Sequence, residues 1–264
     1  MELAHELTPH LKRLRLSGVL ETLETRNQQA LDEEWSHIEF LARLLQDEVE
    51  RRAQKQLSLR LRRSQLDTGK TLESFDFNFN PTVRKQQVLD LATGLYIQQK
   101  RNVLICGPTG TGKSHLAQAL GHAACRRGYD VLFTTAHQML MHIHGGRADD
   151  THARRLRSYL KPDLLIIDDF GLKPLHPPAP EDFYDVINER YERRSIVLTS
   201  NRSPAEWYDL FGDPLLASAG LDRLAHDANV LFIQGESYRA KDRRQLLKEE
   251  VKPEKRTPKN LSEG

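Results

Sequence analysis

The chain has 264 residues, 38% hydrophobic and 29% charged, with a net charge of +2. This fits a soluble globular protein of one large or two modest domains, and so small a net charge does not by itself argue for a nucleic-acid partner. No apolar run approaches the roughly 20 residues of a membrane span, residues 1–10 lack the core of a signal peptide, and two cysteines, Cys106 and Cys125, make no disulfide framework, so the expectation is a cytoplasmic protein without membrane contact.

Taken in order, Thr8-Pro9 reads as a helix start with Pro9 at the first helical position, followed by Leu16, Val19, Leu20 and Leu23 at helical spacing. Ser36 to Glu39 has the form of a capping box, and Ile38, Leu41, Leu45 and Val49 then mark one face of a further helix. Residues 51–63 carry Arg51, Arg52, Lys55, Arg60, Arg62 and Arg63 among leucines. That pattern suits either a basic face for DNA or a partner, or a solvated face balanced by Asp47, Glu48 and Glu50. Residues 1–66 thus read as a small all-α domain for docking on another protein or on its own copies. Residues 67–80 read as a linker whose Phe75, Phe77 and Phe79 pack on the following domain, residues 81–250. Residues 251–264 read as a flexible tail.

Asn80-Pro81 reads as the start of a helix reaching about Thr93. Five apolar runs follow, at residues 103–106, 131–135, 164–168, 196–200 and 230–233, separated by helical patterns. Apolar strands alternating with helices predict a parallel sheet covered on both faces. After the first strand comes Gly107-Pro108-Thr109-Gly110-Thr111-Gly112-Lys113-Ser114, which fits the phosphate-loop spacing between the strand and the helix it requires. Its backbone N–H groups and the helix N-terminus would cradle phosphate oxygens, Lys113 would reach the β- and γ-phosphates and Ser114 would hold Mg²⁺. These eight residues and the adjoining His115 are the candidate ATP contacts.

The third strand ends in Asp168-Asp169, which places Asp168 to hold Mg²⁺ and Asp169 to polarise the attacking water. Asn201 follows the fourth strand, where its amide is placed to orient that water. Arg223, on a helix after Asp213-Pro214, either reaches the γ-phosphate of a neighbouring subunit or pairs with Asp222 or Asp227. Arg239 follows the fifth strand and is a candidate contact to the nucleotide of its own subunit. His137, His142, His144 and His152 match no closed zinc pattern, the Pro174–Pro180 region reads as a stiff loop, and Cys106 falls in a buried strand where a reactive thiol is not expected.

The stretches LRLSGVLETL, SHIEFLARLLQDEVERR, TLESFDF, GPTGTGKSHLAQALG, LLIIDDFG, RYERRSIVLTSN, DPLLASAGLDRL and GESYR together resemble the DnaC/IstB branch of the AAA+ ATPases, the IstB-like members in particular, over nearly the whole chain. The resemblance implies an AAA+ phosphate-loop core with a five-stranded parallel sheet in the order 5-1-4-3-2, a small all-α N-terminal domain and a reduced C-terminal lid. It implies Asp168-Asp169 as the Walker B pair, with Asp169 where many such ATPases carry Glu, Asn201 as sensor one, Arg223 as arginine finger and Arg239 as sensor two. It implies a homo-oligomer with ATP at its subunit interfaces, assembly on double-stranded DNA and an IstA-type transposase as partner. A replicative helicase loader of the DnaC kind and a scaffold with negligible turnover are the alternatives. In this branch an extra helix between the second and third strands lines the DNA path, which makes Arg147, Arg154, Arg155 and Arg157 the candidate phosphate contacts. No base-reading module is recognisable, so little sequence preference is expected.

Overall fold

A computed structural model describes the backbone of residues 2–238 and 240, with side chains from residue 6 onward. The chain divides into two compact units, Met1–Ser64 and Gln65–Gly264.

The first unit is three helices, α1 (Glu2–Arg13), α2 (Ser17–Asp32) and α3 (His37–Ser64). The expected helix start at Thr8-Pro9 is not where the helix begins: α1 runs through Pro9. The proline ring holds a φ compatible with the helix, and its missing N–H costs one backbone bond. The α2–α3 contact explains the Leu-Ser-Gly run. Gly18 opens α2 against Glu48 of α3, and a Cβ at this glycine would sit 2.7 Å from the Glu48 Cα. The buried Glu48 carboxylate accepts the Gly18 N–H, so an anion from the next helix caps the orphan amides of α2. Arg26 grips Asp47 with two hydrogen bonds, at 2.8 and 2.7 Å, and holds that carboxyl well below its usual range, at about 2. The capping-box serine is in use, since Ser36 Oγ accepts the Glu39 N–H at 3.2 Å. Part of the basic run is paired within this unit, Arg51 with Glu21 and Arg52 with Glu48. Leu44 is buried, while Ile38, Leu41, Leu45 and Val49 line an exposed apolar stripe of α3.

The second unit runs α4 (Lys85–Ala92), α5 (Leu95–Gln98), β1 (Val103–Cys106), α6 (Lys113–Arg126), β2 (Val131–Thr135), α7 (Ala136–Gly145), α8 (His152–Leu160), β3 (Leu164–Phe170), α9 (Ala179–Arg190), β4 (Ser195–Ser200), a 3-10 helix (Pro204–Leu210), α10 (Pro214–Ala225) and β5 (Asn229–Phe232). The helix expected from residue 81 starts at Lys85. Asn80 competes for the backbone first: its Oδ1 accepts the Thr82 N–H at 3.2 Å, and residues 80–83 form a turn.

All strand pairs are parallel, in the order β2-β3-β4-β1-β5, which is the expected 5-1-4-3-2 counted from the other edge. The period of two sorts the strand side chains between the faces. Leu104, Leu165, Ile167, Ile196 and Leu198 join a core with Met139 and Ile143 of α7, Phe183 and Val186 of α9, and Leu221 and Leu224 of α10. Ile166 points the other way, to α6, where Gly121 permits close approach: a Cβ there would lie 2.7 Å from Ile166 Cδ1. Asp168 shares that face of β3, which sets its carboxylate on the side of the sheet that α6 covers.

The floor of this sheet is clamped by an arginine. Arg190 is 1% exposed. It donates to the carbonyls of Tyr159, Pro162 and Asp163 before β3 and of Ser195 at the start of β4, at 2.7–3.2 Å. Burial pushes its guanidinium down to about 9. Arg190→Met keeps the volume but leaves these carbonyls unmet, and should lower the unfolding free energy of the full chain by about 3–5 kcal/mol in urea titrations. Arg190→Lys should not restore it, because one ammonium cannot span the two strand entries.

Candidate functional site

The candidate residues converge where the C-terminal ends of β1, β3 and β4 meet the start of α6. The loop between β1 and α6 takes positive φ at Gly107, Gly110 and Gly112, at 151°, 83° and 97°. Sterics reinforce the need for glycine at the first two. A Cβ on Gly107 would lie 2.0 Å from the Ile233 carbonyl oxygen, and one on Gly110 would lie 2.1 Å from Ser237 Oγ. The segment after β5 is therefore pressed onto the loop, and the Tyr238 N–H donates to the Gly110 carbonyl at 2.9 Å. Lys113 is 5% exposed and donates to the Pro108 carbonyl at 2.7 Å.

Residues 67–80 form the opposite wall. Asp67 and the chain beside it are tied to α6 by Gln118 and His122, at 2.8 Å each. Phe75 covers Gly112, stacks edge-on with His115 and meets Phe77 at 4.8 Å. Phe79 packs edge-on against Tyr238 with ring centroids 4.9 Å apart. The result is a cavity of about 560 Å³ lined by Thr109 to His115 together with Phe75, Phe79, Asn80, Tyr238, Asp169 and Asn201.

Near the end of β4 Thr199, which is fully buried, links two strands. Its hydroxyl donates to Asp168 Oδ1 and accepts the Asp169 N–H at 3.0 Å. The β3–β4 register shifts between Ile167 and Phe170, and Asp169 takes a left-handed φ of 58° inside that irregularity. An aspartate tolerates this conformation better than most residues. The shift turns Asp169 into the cavity while Asp168 stays in the strand, 5% exposed. Ser200 fixes the next turn: its hydroxyl donates to the Phe170 carbonyl and accepts from Trp207 Nε1 and the Arg202 N–H. Asn201, the following residue, reaches the cavity wall.

His115 lines the cavity, and its ring is turned to the Thr71 carbonyl, 2.9 Å away, and to Ser74, which ties the wall to α6. Arg223 does not line the cavity. It donates to the Ala219 carbonyl at 2.7 Å and lies over the Tyr184 ring, with no ion pair to Asp222 or Asp227 among the described residues. Arg239 and the tail beyond 240 lie outside the described residues.

The four arginines offered for phosphate contact divide. Arg147 makes a bidentate pair with the fully buried Asp182, at 2.7 Å on both oxygens, and His152 adds a third bond at 3.0 Å. Burial pushes the Asp182 carboxyl up, but Arg147 and His152 outweigh it and the net direction is down. Arg155 is held by Asp149, Thr151 and the His142 carbonyl. These two arginines make structural links, to α9 and within the α7–α8 turn. Arg154 and Arg157 stand exposed on α8. Burial raises the Cys106 thiol to about 11, in keeping with an inert strand residue.

Sequence reasoning missed Thr199, Ser74, Asn80 and Tyr238 as parts of the site. The signal for Thr199 was available: it precedes Asn201 by two residues on a strand adjacent to the acidic one, so the pleat aims it at Asp168. The others are brought in by the fold of residues 67–83 and 233–238. Thr199→Val keeps the shape and removes the hydroxyl bridge. Binding of ATP should persist while turnover falls about 10- to 100-fold, the usual range for losing an orienting partner. Parallel binding and steady-state assays on the same variant check this.

Residues 9–246 match the family model described as IstB-like ATP binding protein. The chain is 40% identical over 234 residues to an insertion-sequence ATP-binding protein of Mycobacterium tuberculosis, covering 88% of this chain and 93% of that one. It is 38% identical over 240 residues to the ATP-binding protein of insertion sequence IS21 from Pseudomonas aeruginosa, covering 91% of each. Among solved structures, AMPPCP-bound DnaA from Aquifex aeolicus superposes with a TM-score of 0.55 at 26% identity, over 70% of this chain and 56% of that one, so the chain spans just over half of that structure. The chain belongs to the IstB-like ATP-binding family.

Proposed function

We propose that this IstB-like ATP-binding protein is an AAA+ ATP hydrolase of an insertion sequence, which assembles on duplex target DNA with ATP and there recruits and stimulates an IstA-type transposase. The observation that carries the enzymatic part is the single cavity that joins the phosphate loop to Asp169 and Asn201. Binding of ATP would exchange the Pro108 carbonyl on Lys113 for phosphate oxygens, a charge-assisted contact in place of a neutral one. Ser114 and Asp168 supply the oxygen donors a Mg²⁺ ion prefers, and the ion would neutralise charge on the phosphates. Thr199 holds Asp168 and the Asp169 backbone in fixed relation. Asp169 and Asn201, which line the same cavity, then polarise and orient the attacking water.

The absence of Arg223 from the lining of its own cavity supports its reading as a finger offered to the nucleotide of a neighbouring copy. Hydrolysis would then require the assembled oligomer and would reset it. The α3 stripe of Ile38, Leu41, Leu45 and Val49 supports the N-terminal unit, residues 1–66 as read from sequence, as the surface for partner docking, since an exposed apolar row of this kind calls for cover.

Steady-state ATP turnover without DNA, with single strands and with duplex tests the reading. Duplex should stimulate most, and Arg223→Ala should bind ATP normally yet lose that turnover. Preference for single strands would favour a helicase loader, and indifference to DNA would remove the DNA-dependent part.

For DNA itself, the exposed Arg154 and Arg157 are the remaining candidates in the α8 region. Each replaced by Ala should weaken duplex binding similarly across sequences and lower the slope of log affinity against log salt by about 1. Arg147→Ala should instead destabilise the protein, by stranding the buried Asp182, as thermal melting will show.

A further inference from the structure

A second cavity of about 560 Å³ lies between α7 and the chain that follows β3. It shares Asp169 and Leu172 with the nucleotide cavity, so the two adjoin. The catalytic reading leaves it without a use. Leu140, Met141, Leu172 and Leu175 give it an apolar lining, and Met141 and Leu172 are more than half exposed. Lys173 lines it too, with His137, His144 and His176, and these four side chains make no hydrogen bond or ion pair among the described residues. A concave apolar surface with a few uncommitted polar groups is the form that binding sites take.

We infer that this cavity seats the first turn of α10 from a second copy of the chain. The inference rests on the proposed ATP-driven assembly, with Arg223 as a finger from another copy. Leu215, in that first turn, is 79% exposed, more than any other large apolar residue of the second unit among the described residues, and it does not line its own copy's cavity. Tyr208, also exposed, lies beside the same helix, its hydroxyl donating to Asp222 at 3.4 Å. The turn is held firmly, because Asp213 Oδ1 accepts the Leu215 and Leu216 N–H groups. Asp209 and Asp213 add exposed carboxylates close to Leu215 in the chain. The two surfaces are complementary: an apolar knob with acids, and an apolar cavity with a lysine and three imidazoles. Knob and cavity are different surfaces of one chain, so the contact runs head to tail and each copy can seat the next. Arg223 follows Leu215 by eight residues on α10, which is about 12 Å along the helix axis. One helix laid across the adjoining cavities thus carries Leu215 in the second and Arg223 at the first. Leu215 is a positioning residue, which sets the register of the finger.

The test is cross-linking between copies of the full chain. Leu215→Cys and Met141→Cys are made separately, mixed with ATP and duplex DNA, and treated with a short bis-maleimide. The native Cys106 and Cys125 are buried, which keeps the background low. The mixture should give about 10-fold more cross-linked dimer than either variant alone, because a specific contact raises the effective concentration of one thiol at the other. Leu215→Cys mixed with Leu89→Cys, an exposed position on α4, should stay at that background. In sedimentation and turnover assays Leu215→Arg should lose ATP-dependent assembly and duplex-stimulated hydrolysis together while binding ATP as wild type does, and Leu215→Met should keep both. Cross-linking no greater than in the controls, or full assembly of Leu215→Arg, in conditions where wild type assembles, would overturn the seat and leave the finger reading standing. Wild type that stays a single copy with ATP and duplex would overturn the assembly reading and the seat with it.

Discussion

The geometry of the second unit depends on one hydroxyl. Thr199 sits in β4 and reaches across to β3, giving its proton to Asp168 and taking the amide proton of Asp169. A hydroxyl has one proton to donate, and here both its donor and acceptor sides are used. The two acids consequently cannot behave alike. One remains in the strand on the face covered by α6, and the other is rotated through a left-handed backbone into the cavity. Adjacent residues on a regular strand would point to opposite faces of the sheet. The register shift between β3 and β4 is what brings the second acid round to the mouth, and the threonine holds the shift in place.

The phosphate loop is constrained in the same manner from its other side. Its glycines are required by positive φ, and at Gly107 and Gly110 also by the close passage of residues 233–238. The chain after β5 and the chain before α4 both close on this loop, through Tyr238 and through Phe75. The cavity is thus assembled from segments separated by over 150 residues, and any one of them can alter it.

This separation sets what was legible beforehand. The strands, their order and the loop were readable because a local pattern carries each: buried apolar runs, and glycines at fixed spacing before a lysine. Asp168, Asp169 and Asn201 were readable as strand-end residues. Asn80 was not, since Asn-Pro reads equally as a helix start, and only the bond from Thr82 shows that a turn wins. His115 was read as a ligand contact and lines the cavity, but the bond of its ring to the Thr71 carbonyl, 44 residues away, leaves no local pattern in the sequence. Pro9 misled because a helix can pass through a proline when the loss is a single backbone bond.

The arginines show most clearly why residue type and position fall short. Arg147, Arg154, Arg155 and Arg157 read alike in sequence, as a basic cluster between β2 and β3. In the fold the first is bound to a carboxylate on α9, 35 residues away, and the third closes its own turn, while the second and fourth face solvent. Arg190, which no motif singles out, is the most deeply buried of the described arginines and holds the entries of β3 and β4 through carbonyls. The difference lies in the acceptors each guanidinium meets. A buried carboxylate or a ring of strand-end carbonyls commits an arginine to the fold, and an arginine that meets neither keeps its charge for a partner. Sorted by acceptor, Arg154 and Arg157 are the two of the four that stay exposed on α8, which is why the proposed phosphate contacts are tested there first.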